Sequence, residues 1–323
     1  MRLLPALVAK RRFVVSILTS FVAAQAVAED VAFVTNQNGH TLSIVNLADN
    51  SEQQSIAVPG APAGVAVDPM GDYVVTVSAD SKTIRKFDPV TGALQQSIQL
   101  DGGPIGVAVH PDGDRLYVSD WFNSRLWVLG AAGLNLQAEW PTGTAPAGVA
   151  VSADGRFVAS ADKEANQASI FDAHTGEALH RIGVGARPFG ITFGPMGRIF
   201  TANVGSNSVS VIDPEAGALV ATIPVGERPY AIAFANGRGF VTNQYADTVS
   251  VFDVDDLKVI ATISVGEYPE GIDATTDETR VVVANWFSNT LSVIDTHKLT
   301  VVSEIAVGDG PRAFGTFIRN VGD

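Results

Sequence analysis

Cysteine is absent from this 323-residue chain. That excludes disulfides, thiolate zinc sites, cysteine nucleophiles and covalently attached c-type haem. Histidine is scarce, and His40, His110, His174, His180 and His297 never stand at the short spacing of a metal-binding pair. There is no Gly-x-Ser-x-Gly elbow and no phosphate-binding glycine loop. The acidic run Asp253-Val254-Asp255-Asp256 lacks the glycine and closing glutamate of a calcium loop and reads as a solvated turn. No cofactor is therefore predicted, and a bound metal ion has no motif to support it. Charged residues reach only 17%. Beyond the first segment no apolar run is long enough to span a bilayer, so no stable membrane insertion is expected once that segment is removed.

The first segment has its own layout. Arg2, Lys10, Arg11 and Arg12 are followed by the apolar stretch 13–24, and Ala26-Val27-Ala28 places small residues before Glu29. This is the pattern of a secretory signal peptide over residues 1–28. The residues around Arg11-Arg12 match a twin-arginine signal poorly, so ordinary secretion is expected, with the product periplasmic or secreted. The full chain carries 21 basic and 34 acidic residues, a net charge of −13. Removing the segment takes away four basic and no acidic residues, which leaves −17 on residues 29–323. A field of that sign repels phosphate backbones and disfavours nucleic acid as a partner.

What the chain has in abundance is repetition. Pro62, Pro104, Pro146, Pro188, Pro229, Pro269 and Pro311 are spaced 42, 42, 42, 41, 40 and 42 residues apart. Two residues after each stands Gly64, Gly106, Gly148, Gly190, Ala231, Gly271 or Ala313. Within the unit that opens at Pro104, strands are predicted over 106–109, 115–119, 125–129 and 136–140, separated by turns such as His110-Pro111-Asp112-Gly113. Four strands in this period make one blade of a β-propeller. Six complete units run from Pro62 to Gly310. The segments 31–35, 41–46 and 54–58 supply three strands of another blade, and the stretch 312–318 supplies its missing innermost strand. The expected fold is all-β: a single-domain seven-bladed β-propeller over 29–323, with four antiparallel strands per blade and the ring closed by strands from both termini.

The segments Phe33-Val34-Thr35-Asn36 and Phe240-Val241-Thr242-Asn243 are followed in the next strands by Ser43-Ile44-Val45-Asn46 and Ser250-Val251-Phe252-Asp253. Ser210-Val211-Ile212-Asp213 and Ser292-Val293-Ile294-Asp295 repeat the second pattern. Together they resemble the YVTN-repeat family of exported seven-bladed propellers. The resemblance implies a fold shared with the large subunits of some quinoprotein amine dehydrogenases and with a group of lactone hydrolases. It implies a binding or interaction role, and no catalytic motif of the enzymatic relatives maps onto these residues. The repeated residues build blades, so the likeness speaks to fold rather than to chemistry.

A function would be written where the units differ. The loops into each proline and those between the second and third strands share the face around the channel mouth. Asn36, Asp120, Asp162, Asn203, Asn243 and Asn285 sit in the second set, where such side chains commonly bond to their own loop. Trp121-Phe122 and Trp286-Phe287 place paired aromatics at one repeat position, and Tyr245 aligns with the phenylalanines. They read either as a contact surface or as a lid over neighbouring blades. Arg187-Pro188-Phe189, Arg228-Pro229-Tyr230 and Pro311-Arg312 bring three guanidinium groups to the same face. These suit a carboxylate or phosphate, or else pair with Glu227, Glu267 or Glu270. The leading expectation is a non-catalytic scaffold that presents this face to a small anionic ligand or a partner protein. A metal-dependent lactone or ester hydrolase, and an accessory protein of a quinoprotein dehydrogenase or transport system, are the alternatives.

Overall fold

Six of the seven prolines of the repeat open an innermost strand: Pro62–Val67, Pro104–Val109, Pro146–Val151, Pro188–Phe193, Pro229–Ala235 and Pro269–Ala274. A proline fits the first residue of a strand because no ladder hydrogen bond is lost there. Residues 30–320 are described by the computed structural model, and the expected signal peptide, 1–28, lies outside them. The described residues form seven four-stranded antiparallel sheets. We number the blades in chain order, with the first built from Asp30–Asn36, Thr41–Asn46, Ser51–Ala57 and the C-terminal Ile318–Asn320.

In the blade that opens at Pro104 the later strands are Arg115–Asp120, Arg125–Gly130 and Asn135–Pro141, close to the bounds the turns predict. Second strands such as Phe157–Asp162 are buried at every residue, because blades cover both of their faces. Outermost strands alternate with solvent, as Leu94–Gln99 does. No helix among the described residues is long and apolar enough to cross a membrane.

The glycine two residues after the proline marks where blades converge on the axis. A Cβ on Gly106 would lie 2.4 Å from the Ala147 carbonyl oxygen of the next blade, and one on Gly271 would lie 2.2 Å from that of Ala313. Between the proline and this tight contact the register slips, for example between Pro104 and Val107. Such a bulge re-aims the intervening side chain, here into the channel.

Ring closure departs from the expected strand over 312–318. Pro311 bridges Asn36, and regular pairing resumes only at Ile318–Asn320. Between them the chain leans onto the second blade: the Val65 amide donates to the Phe314 carbonyl at 3.0 Å and Phe314 to Ala63 at 3.2 Å. The physical reason is burial. Phe317 is wholly enclosed and Phe314 nearly so. The seventh blade holds the closure through Asp273, whose carboxylate accepts the Phe317 and Ile318 amides at 2.8 and 2.9 Å.

Candidate functional site

Two residues per unit face the channel mouth. The residue after the proline provides the floor: Ala63, Ile105, Ala147, Phe189, Tyr230, Glu270 and Arg312. The residue that follows the second strand provides the wall: Gln37, Ala79, Trp121, Lys163, Val204, Gln244 and Trp286. All seven wall residues and five floor residues line one cavity of about 570 Å³.

The wall is set by a repeated hydrogen bond. The amides of Trp121, Lys163, Val204, Gln244 and Trp286 donate to the carbonyls of Gly103, Ala145, Arg187, Arg228 and Tyr268 at 3.0–3.1 Å. At Ala145, Arg187, Arg228 and Tyr268 the residue before the proline accepts this bond in a left-handed turn, with φ 55° at Arg228 and 59° at Tyr268, a conformation non-glycine residues rarely adopt. Its own amide is held by an earlier blade, as Arg228 is by Asn207 Oδ1 at 2.9 Å and Tyr268 by Asp247 Oδ1 at 2.8 Å. His40 performs this role for Ala61.

The polar residues that end the second strands turn inward to brace the blades. Asn285 donates to Thr290 and Ser292, and Asn203 to Ser208 and Ser210. Asp120 accepts from Gly103, Asn123 and Arg125. They belong to the scaffold below the site.

Three rings plug the axis. Phe189 and Tyr230 lie 4.5 Å apart by centroid, Phe189 and Phe314 5.0 Å, and Tyr230 and Phe314 5.5 Å. Phe189 and Tyr230 floor the mouth cavity, while Phe314 lines the hollow on the opposite side. The cavity is therefore blind.

Charge enters through four side chains. Arg312 donates to the Tyr230 hydroxyl at 2.6 Å through Nη2 and to Gln37 Oε1 at 3.0 Å through Nη1, and its Nε stands 3.1 Å from Glu270 Oε2. Burial raises the Glu270 pKa, and the nearby guanidinium opposes that rise only in part. Burial alone would lower the Arg312 pKa, but Glu270 and Tyr230 outweigh it and hold the guanidinium charged. Arg228 reaches Gln244 at 2.6 Å and lies over the Tyr245 ring at 4.6 Å. Lys163 places its ammonium 4.6 Å above the Trp121 ring and 5.6 Å from Phe189. Burial lowers its pKa, and Arg187 and Arg228 push the same way.

Of the residues singled out in the sequence, Trp121, Phe122, Trp286, Phe287, Arg228, Arg312, Phe189 and Tyr230 line the cavity. Arg187 and Tyr245 stand on the outer rim. Arg187 is exposed and pairs with Glu164 at 3.0 Å, whereas Tyr245 packs on Tyr268 at 5.7 Å. The Trp residues are half-buried and the neighbouring Phe122 and Phe287 exposed, so each pair is anchor and surface at once. Lys163, Gln244, Gln37 and Tyr268 were not legible from residue type. Comparing each unit one residue past its second-strand Asn or Asp would have found the first three.

The segment 91–184 matches the family model described as Lactonase, 7-bladed beta-propeller, a match to part of the ring. No curated protein sequence matches the chain. Solved structures share its fold. A functionally unknown protein from Desulfotomaculum acetoxidans DSM 771 superposes with a TM-score of 0.77 at 17% identity, covering 90% of this chain and 98% of that one. A chain of Kuenenia stuttgartiensis hydrazine synthase gives 0.75 at 19% identity, over 86% and 99%. Dihydro-heme d1 dehydrogenase NirN in complex with DHE gives 0.67 at 17% identity, over 90% of this chain and 66% of that chain. Such distant likenesses establish a related seven-bladed architecture, and the chemistry stays with the residues of each site.

Proposed function

We propose that this chain is an exported binding scaffold of the YVTN-repeat type that captures a small anionic ligand in its channel mouth without chemical conversion. One observation carries the reading. In a chain of net charge −13, the cavity is lined by Lys163, Arg228 and Arg312 against the single acid Glu270. An inverted local charge inside a half-apolar recess concentrates anions there. The aromatic walls exclude water and strengthen each charge-assisted bond. Export rests on the 1–28 leader. Cleavage after Ala28 leaves the first strand whole, since pairing begins at Asp30.

The anionic dye 1-anilinonaphthalene-8-sulfonate tests the binding reading. The mature protein should bind one equivalent saturably, and Arg228→Gln and Lys163→Gln should each weaken binding about tenfold, the loss of one charge-assisted bond. Binding that is unchanged in both variants would refute the assigned site. Intact mass of material recovered from the extracytoplasmic fraction should begin at Glu29.

The match of 91–184 to the lactonase family supports a second reading, a metal-dependent lactone or ester hydrolase. A divalent ion needs several oxygen or nitrogen donors. The cavity offers one carboxylate amid three cations, and no group of three or more metal-binding side chains occurs among the described residues. Lactone turnover in the presence of calcium or zinc would favour this second reading over the first.

A further inference from the structure

The cavity is not evenly apolar. Aromatic wall residues occur in two of the seven blades: Trp121 with Phe122 in the third and Trp286 with Phe287 in the seventh. In a closed ring of seven, these blades are separated by two blades on one side and three on the other. The two aromatic pairs therefore face each other across the mouth. At the same repeat position the two-blade side carries Gln37 and Ala79. The three-blade side carries Lys163, Val204 and Gln244, with Arg228 bonded to Gln244 at 2.6 Å.

Each wall is built to present a ring. Gly103 lacks the side chain that would collide with Phe122, whose ring carbon would lie 2.6 Å from a Cβ there. Opposite, Tyr268 supports both Trp286, at 5.8 Å, and Phe287, at 4.8 Å. The Trp286 indole N–H is shielded from solvent and has no acceptor, a donor aromatic side chains usually satisfy when buried. Glu270 Oε2 likewise lacks an aligned donor, although Arg312 stands beside it.

Resting on the reading of this cavity as an anion site, we infer that its ligand is a flat, conjugated acid. Its ring system lies between the Trp121–Phe122 and Trp286–Phe287 walls, and its acid group turns toward Lys163 and Arg228. Two facing aromatic walls reward a thin π-system over a bulky body of equal charge. Cations gathered on one side between them orient the acid. The blind floor admits the ligand from the mouth alone, and a cavity of about 570 Å³ accommodates several fused rings.

The test compares naphthalene-2-carboxylate with its saturated counterpart, decahydronaphthalene-2-carboxylate, by calorimetric titration of the mature protein. Both carry one negative charge, and the saturated acid is the more apolar, so hydrophobicity alone predicts the opposite order. The flat acid should bind roughly tenfold tighter or more, as two ring-stacking contacts allow. Trp121→Leu and Trp286→Leu should erase that preference. If they fold poorly, the exposed Phe122→Leu and Phe287→Leu should reduce it by a few-fold. Equal binding of the two acids would overturn the flat-ligand inference and leave the anion reading standing. Failure of both acids to bind would overturn both. Equal affinity for naphthalene-2-methanol and the flat acid would overturn the role given to the cations.

Discussion

Replacing Arg312 by Gln removes the cation that faces Glu270 at the base of the channel mouth. The Glu270 side chain is 5% exposed and that of Arg312 18%, so little water takes the place of the lost guanidinium. Breaking a buried pair from one side typically costs 3–5 kcal/mol. Here Gln244 still donates to Glu270 Oε1 at 2.6 Å, and we expect about 3 kcal/mol. The loss should depend on pH. Burial already raises the Glu270 pKa, and without Arg312 it rises further. A carboxyl whose folded pKa lies above its unfolded value contributes stability below the unfolded pKa and loses it as pH rises through the folded one. The deficit of the variant should therefore be smallest near pH 4 and widen toward pH 8. Urea unfolding of wild type, Arg312→Gln, Glu270→Gln and the double variant across that range measures it. The double variant should recover about 1–3 kcal/mol of the summed single losses. A loss below about 1 kcal/mol, or one that is flat with pH, would show that water solvates this pair and that the floor is not dry.

Three further outcomes follow from other parts of the ring. Gly106→Ala forces a methyl against the Ala147 carbonyl, so thermal unfolding should show a loss of about 1–3 kcal/mol, against little change for Gly183→Ala, where nothing lies within 4 Å. Burial lifts the Asp273 carboxyl pKa from 3.8 to about 6, so this residue adds stability below pH 4 that is lost as pH rises through 6. Asp273→Asn should flatten that slope in pH-dependent denaturant titrations and bring a gain of about 1–3 kcal/mol at pH 7. Trp121→Ala should cost about 1–2 kcal/mol of stability, because the ring is only partly buried, and should weaken dye binding at least tenfold. A loss of binding no larger than that of the exposed control Met70→Ala would remove Trp121 from the site.

The ring was legible because its signals are local and repeat in phase. A proline that opens a strand, a glycine where blades touch and an Asp- or Asn-led turn each have one physical job, and seven copies remove ambiguity. The aromatic pairs and the arginines after or before prolines were legible for the same reason, as departures from the repeat. Lys163 was not, since a lone lysine after Asp162 looks like a solvated loop residue until Trp121 and Phe189 are seen beneath its ammonium. Arg187 misled in the opposite sense. It occupies the same repeat position as Arg228 in the same left-handed turn, yet Glu164 from the preceding blade draws it to the rim.

By itself, then, the order of residues determined the number of blades, their strands and turns, and which face varies, because backbone geometry depends on neighbours close along the chain. Tertiary structure alone decided which varying side chains meet. The floor couples Arg312 to Tyr230 and Gln37, 82 and 275 residues away, and the plug joins Phe189, Tyr230 and Phe314. Those contacts depend on the angle at which seven twisted sheets close on one another, a property of the whole ring that no single repeat contains.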